Sequence, residues 1–150
     1  MNILILGSGG REHAIADKII ASSECSKLLI APGNAGTSTL GKNVPLDIMD
    51  FAAVKALILS EEIELVVVGP EAPLVAGIVD YFEADEMLNQ IAIIGPSAQG
   101  AMLEGSKDFA KEFMARHQIP TASYVTFGVD TLEEGLKYLD SHPTPVVLKA

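Results

Sequence analysis

Three continuous apolar runs limit what this chain can fold into: "NILIL" at 2–6, "LVVV" at 65–68 and "IAII" at 91–94. A strand with one wet face alternates apolar and polar side chains. A strand that is apolar throughout is covered on both faces, as in a parallel sheet between layers of helix. Further runs at 27–31, 122–127 and 146–149 read as strands, and the run at 65–68 extends back to Glu64. Helical spacing fills the intervals. Ala14, Ile15 and Ile19 share a stripe within about 11–22, and Val54, Leu57 and Ile58 do so within 50–60. After "GPEAP", Val75, Ile78, Val79 and Phe82 mark one further helix. Two helices follow in close order, at about 98–103 and 106–117, the second opened by Ser106. A helix at 131–139 separates the last two strands. Alternation of this kind predicts an α/β fold with a small, doubly wound parallel sheet, followed by a second βαβ-like unit.

At 150 residues and 49% hydrophobic, the chain can bury a proper core. A net charge of −10 excludes nucleic acid as a natural partner, since that binding is driven by phosphate neutralisation. The single cysteine, Cys25, allows no intrachain disulfide and fits a reducing compartment. The longest apolar stretch, "LVVVGPEAPLVAGIV", contains Glu71 and two prolines and is too short and polar to span a bilayer. No basic leader precedes "MNILIL". The expectation is a cytoplasmic protein without membrane or nucleic-acid partners.

Ligands of doubly wound sheets bind beyond the carboxyl ends of the strands. Four loops lie there: "GSGGRE", "APGNAGT", "GPEAPL" and "GPSAQG". A dinucleotide turn would place a third glycine where Glu12 stands, and a ribose-binding acid where Ala31 and Pro32 stand. Both tests fail. A phosphate still suits the turn. Gly9 and Gly10 permit close backbone approach, the following helix offers unpaired amides, and Arg11 adds a planar fork. The other reading is a tight turn with a solvated arginine; His13 reads as a packed or capping residue. Asn34 and Gly36 belong to a loop that can expose backbone donors, or to a plain surface loop. Glu71 can accept from sugar hydroxyls or an amine, or it simply favours a helix start. Lys107 opens a helix against the dipole, which hints at a nearby anion. Lys149, placed by alternation on the face of Val147, would reach a charge or ligand. No metal-ligand spacing, Walker A or G-x-S-x-G sequence is present.

Together, "ILGSGGREHAIA", "APGNAGT", "VVVGPEAPLVAGIVD", "IGPSAQGAMLEGSKDFAKEFMARHQIPTA" and "PVVLKA" resemble, in order, the phosphoribosylamine–glycine ligase family. These are also called glycinamide ribonucleotide synthetases. The resemblance covers essentially the whole chain. It implies an ATP-grasp ligase of purine biosynthesis that joins glycine to phosphoribosylamine through glycyl phosphate, using ATP and Mg²⁺. Residues 1–102 would be the pre-ATP-grasp domain, and 103–150 linker helices with the incomplete start of an ATP-grasp domain. By motif position, Gly9, Gly10 and Arg11 would meet the 5′-phosphate and Glu71 the ribose or amine. Asn34 and Gly36 would line the same cleft, and Lys107 and Lys149 would face ATP phosphates. The resemblance places no catalytic residue or metal ligand in this chain, because family members continue past "PVVLKA". The chain alone is therefore expected to be inactive, and to read as cut within its second domain. Its segment after about 121 is expected to pack irregularly or against a second copy. Another ATP-grasp ligase or carboxylase subunit, and a stand-alone phosphate- or nucleotide-binding module, remain the alternatives.

Overall fold

The computed structural model describes residues 1–143 and 145–149. It divides into two compact units, Met1–Lys107 and Asp108–Ala150.

In the first unit, β1 (Asn2–Gly7), β2 (Lys27–Pro32), β3 (Lys42–Asn43), β4 (Leu65–Val68) and β5 (Ala92–Ile94) form a five-stranded sheet of order β3-β2-β1-β4-β5. Every pairing is parallel. Helices α1 (Gly10–Ile20), α2 (Phe51–Ser60), α3 (Glu71–Val75), α4 (Ile78–Ala84) and α5 (Ala98–Gly105) complete it.

The continuous apolar runs divide by parity, as strand geometry requires. Ile3 and Ile5 of β1, with Leu28, Ile30 and Val67, pack with Ala16 of α1. Leu4 and Leu6, with Leu29, Ala31, Val66 and Val68, pack with residues of α2 through α5, among them Val54, Ile58, Leu74, Val79 and Ala101. Both faces of β1 are thus covered, and the sheet is doubly wound. Each such buried side chain contributes roughly 1.5–3 kcal/mol relative to exposure. Asp50 caps α2 by accepting the Ala53 amide at 3.0 Å.

Two elements of this unit differ in extent from the sequence expectation. The helix after "GPEAP" is two helices, because Gly77 takes φ +89° between α3 and α4. An L-residue helix cannot continue through that conformation. The two-residue β3 was not anticipated; its Lys42 and Asn43 show neither an apolar run nor alternation.

The second unit begins one residue into α6 (Lys107–Arg116). It also holds a 3₁₀ turn at Val129–Thr131 and α7 (Leu132–Ser141). Phe127 packs on Gly135, and its ring lies 5.6 Å from that of Tyr138. The strands expected at 122–127 and 146–149 are absent. Ladder groups need a partner strand, and no strand forms among the described residues of this unit. Lys111 holds the start of this segment instead, its Nζ donating to the Thr121 hydroxyl and the Ala122 backbone carbonyl, both at 2.8 Å. Val147 is 81% exposed. Lys149 therefore lies exposed on irregular chain, not on a covered sheet face. Ala150, which ends "PVVLKA", lies outside the described residues.

Candidate functional site

The chain winds outward from β1 through β2 to β3, then restarts at β4 on the other side of β1. The topological switch point therefore lies between the carboxyl ends of β1 and β4, where crevices form in such sheets. The turn at 7–11 flanks it on one side and the loop at 69–71 on the other.

Glu12 occupies this crevice. It is only 4% exposed, although it carries a carboxylate. Its Oε2 accepts the Gly9 amide at 2.6 Å, and its Oε1 accepts Arg11 Nε at 3.2 Å. Three glycines make room for it. A Cβ on Gly7 would lie 2.6 Å from Glu12 Cγ, one on Gly9 2.9 Å from Oε2, and one on Gly69 2.5 Å from Cδ. Gly7 also takes φ +130°, open chiefly to glycine. Sequence reasoning registered Glu12 only as a misfit to a dinucleotide motif. Its signal was a pair of glycines before a charged residue that opens a helix, with another glycine after a distant buried strand.

Gly10 behaves differently. Its φ is not positive, and a Cβ there would meet nothing within 4 Å. Neither packing nor backbone conformation demands a glycine at the first position of α1. The amides of Gly10 and Arg11 stand in that first turn, without helical acceptors. Arg11 is exposed beside them, with Nε engaged by Glu12. Gly9 and Gly10 thus separate: the Gly9 amide is spent on Glu12, whereas Gly10 faces open space.

The second loop is tied to the first. After a cis Ala31–Pro32 peptide, Gly33 turns with φ +73°. Asn34 donates from Nδ2 to the Ser8 carbonyl at 2.7 Å, while its Oδ1 accepts the amides of Gly36 (2.7 Å) and Thr37 (3.0 Å). The buried Thr37 hydroxyl accepts the Asn34 amide at 2.8 Å and has Asn43 Oδ1 within 2.8 Å as an acceptor. The His13 ring lies against Gly36, where a Cβ would come within 2.6 Å of Cε1. Asn34 and Gly36 therefore stand beside the α1 mouth, with their polar groups largely committed to holding the loops together.

Glu71 is exposed at the first position of α3, two residues after the glycine that cradles Glu12. The fourth loop is already supplied with acceptors: the Asp80 carboxylate accepts the Ala98 amide at 2.7 Å, and the Ser97 hydroxyl caps α5. Lys107 opens α6 at the end of the first unit, and Lys149 belongs to the second. Among the described residues, no helix is long and apolar enough to cross a membrane.

Comparison with known proteins identifies the family. The family model for "Phosphoribosylglycinamide synthetase, N domain" matches residues 1–104. A phosphoribosylamine–glycine ligase of Mesorhizobium japonicum is 51% identical over 150 residues, which is all of this chain and 34% of that protein. One from Xanthomonas axonopodis pv. citri is 49% identical over 152 residues, with the same coverage. The crystal structure of phosphoribosylamine–glycine ligase from Thermotoga maritima aligns with TM-score 0.58 and 31% identity over 91% of this chain and 30% of that one. N5-carboxyaminoimidazole ribonucleotide synthetase from Thermus thermophilus shares the fold, with TM-score 0.59, 23% identity, and coverage of 90% and 35%. The chain spans about a third of the length of the curated relatives it matches, 34% in each case above. On its own residues 1–104 and these relatives, the chain belongs to the phosphoribosylglycinamide synthetase family, as its N-terminal portion.

Proposed function

We propose that this chain supplies the ribose-phosphate site of an ATP-dependent ligase that joins glycine to 5-phosphoribosylamine, releasing ADP and phosphate. The observation that carries the reading is the α1 mouth. There, Gly10 has open space where a side chain would stand, beside two amides without helical acceptors and an exposed guanidinium. The 5′-phosphate docks on the Gly10 and Arg11 amides and the Arg11 terminal nitrogens. Gly9 serves by accommodating Glu12, and Asn34 and Gly36 hold the neighbouring loop. Glu71, across the crevice, accepts from the ribose or the amine. Lys107 and Lys149 face ATP phosphates in the longer protein, with residues 1–102 as the pre-ATP-grasp domain and 103–150 leading into the ATP-grasp domain. That ligase would need Mg²⁺. Among the described residues, no three or more His, Cys, Asp or Glu side chains gather as a metal requires.

The test is a titration of the ¹⁵N-labelled chain with ribose 5-phosphate. The Gly10 and Arg11 amides should shift most. Arg11→Ala should weaken binding roughly tenfold or more through loss of a charge-assisted pair. Gly10→Ala should bind about as poorly, yet keep its stability within about 1 kcal/mol, since alanine favours a helix and meets no neighbour. Equal binding by the parent and Arg11→Ala would refute the assignment.

A further inference from the structure

The reading above leaves one buried charge unused. Among the described residues only Glu12 and Thr37 are buried polar or charged groups, and only Glu12 carries a charge. We propose that Glu12 is the positioning residue of the α1 mouth: it orients Arg11 and the turn for ribose-phosphate binding without touching the ligand. The inference rests on reading that mouth as a ribose-phosphate site.

Three observations support it. First, the carboxylate is immobilised, because its carbons and oxygens fill the places where Gly7, Gly9 and Gly69 would carry Cβ atoms. Second, its two oxygens serve two different donors: Oε2 holds the Gly9 amide and Oε1 holds Arg11 Nε. A guanidinium gripped at Nε keeps both terminal nitrogens for a phosphate, in a plane already set. Arg11 is otherwise exposed, so this grip removes rotamer freedom that binding would have to freeze. Third, both partners are N–H donors, so the task calls for a group with two acceptor oxygens. Glutamine would turn an NH₂ group toward one of them.

A double-mutant cycle on the full chain tests this, read as ribose 5-phosphate affinity alongside the urea midpoint. Glu12→Gln should bind roughly tenfold more weakly than the parent when Arg11 is present. In an Arg11→Ala background the same change should cost less than about twofold, while any stability loss should be similar in both backgrounds. Parent-like binding by Glu12→Gln, or an equal affinity loss in both backgrounds, overturns the proposal and leaves Glu12 a purely structural residue. If Glu12→Gln does not fold, the Arg11 Nε–H resonance of the unliganded parent decides. Protection from solvent exchange supports the grip, and exchange at the rate of a free arginine overturns it. Failure of the site reading itself is distinguishable, because Arg11→Ala would then bind like the parent.

Discussion

Replacing Gly69 with alanine isolates the physical claim on which the site is built. Gly69 follows β4, donates its amide to the Leu6 carbonyl at 3.0 Å, and has no positive φ. Alanine there brings no backbone strain. Its Cβ would fall 2.5 Å from both Cγ and Cδ of Glu12, about 1 Å inside van der Waals contact. The obstructed group is not a loose tip. Glu12 is 4% exposed, and its carboxylate is tethered to the Gly9 amide. Making way loosens that charge-assisted bond, worth about 1.5–3 kcal/mol, within an overpacked site that costs about 1–3 kcal/mol. The Arg11 contact adds little, because the guanidinium is more than half exposed. These effects overlap, so the expected loss is about 2–3 kcal/mol, not their sum. In urea, the midpoint should fall by roughly 1 M at unchanged slope. The decisive control is Glu12→Ala. In that background the new methyl meets space, and Gly69→Ala should cost less than about 0.5 kcal/mol, giving a coupling near 2 kcal/mol. An unchanged midpoint in the parent background, or the same loss in both, would show that Glu12 does not fill the crevice as described.

Two further outcomes can be measured. Asn34→Ala removes the acceptor of the Gly36 and Thr37 amides and the donor to Ser8. It should cost about 1–3 kcal/mol and speed hydrogen exchange at the Gly36 and Thr37 amides, whereas unchanged exchange would refute the tie between the loops. Asp85 is held below the usual aspartate range, first by its hydrogen bond from Lys55 and then by the Met87 amide. A depressed folded pKa gives stability that is present above the unfolded value and lost as pH falls through the folded one. Lys55→Ala should therefore flatten the loss of stability below about pH 4, read as urea midpoint against pH. An acid limb of unchanged steepness would sink this.

The sheet was legible because its three longer strands, β1, β2 and β4, need burial on both faces, and that need is written locally as uninterrupted apolar residues. The three-residue β5 was readable from its apolar run, although as an edge strand it is not buried on both faces and Ile94 is 57% exposed. The edge strand β3 was not, since Lys42 and Asn43 pair with Leu29 and Ile30 without burying an apolar face of their own. The split at Gly77 was also hidden. The stripe Val75, Ile78, Val79 and Phe82 has helical spacing whether or not the helix breaks, because all four pack against the same core. Runs 122–127 and 146–149 carry strand-like side chains, but a ladder depends on a neighbour that no local signal can guarantee. In the site, glycines and charges were visible as candidates. Their division of labour was not, because Glu12 is enclosed by a residue arriving from a different strand.

That enclosure changes what a glycine-rich turn signifies. Such turns are read as bare backbone awaiting a phosphate, yet here most of the glycines are spaces filled by the protein's own side chains. Glu12 fills the spaces at Gly7, Gly9 and Gly69, Asn43 the one at Gly33, and His13 the one at Gly36. The side chains that fill them are ionisable or amide-bearing, so the same contacts that pack the loops also fix polar groups at the sheet's carboxyl edge. Gly10 alone among these loop glycines faces open space. It follows that stability and ligand affinity should part company at Gly10 and move together at Gly9 and Gly69. A dinucleotide site needs bare backbone along the crevice between β1 and β4, where a third glycine lets the first helix pack close. In this chain a buried carboxylate stands in that place, and the glycine left facing open space is Gly10, at the mouth of α1.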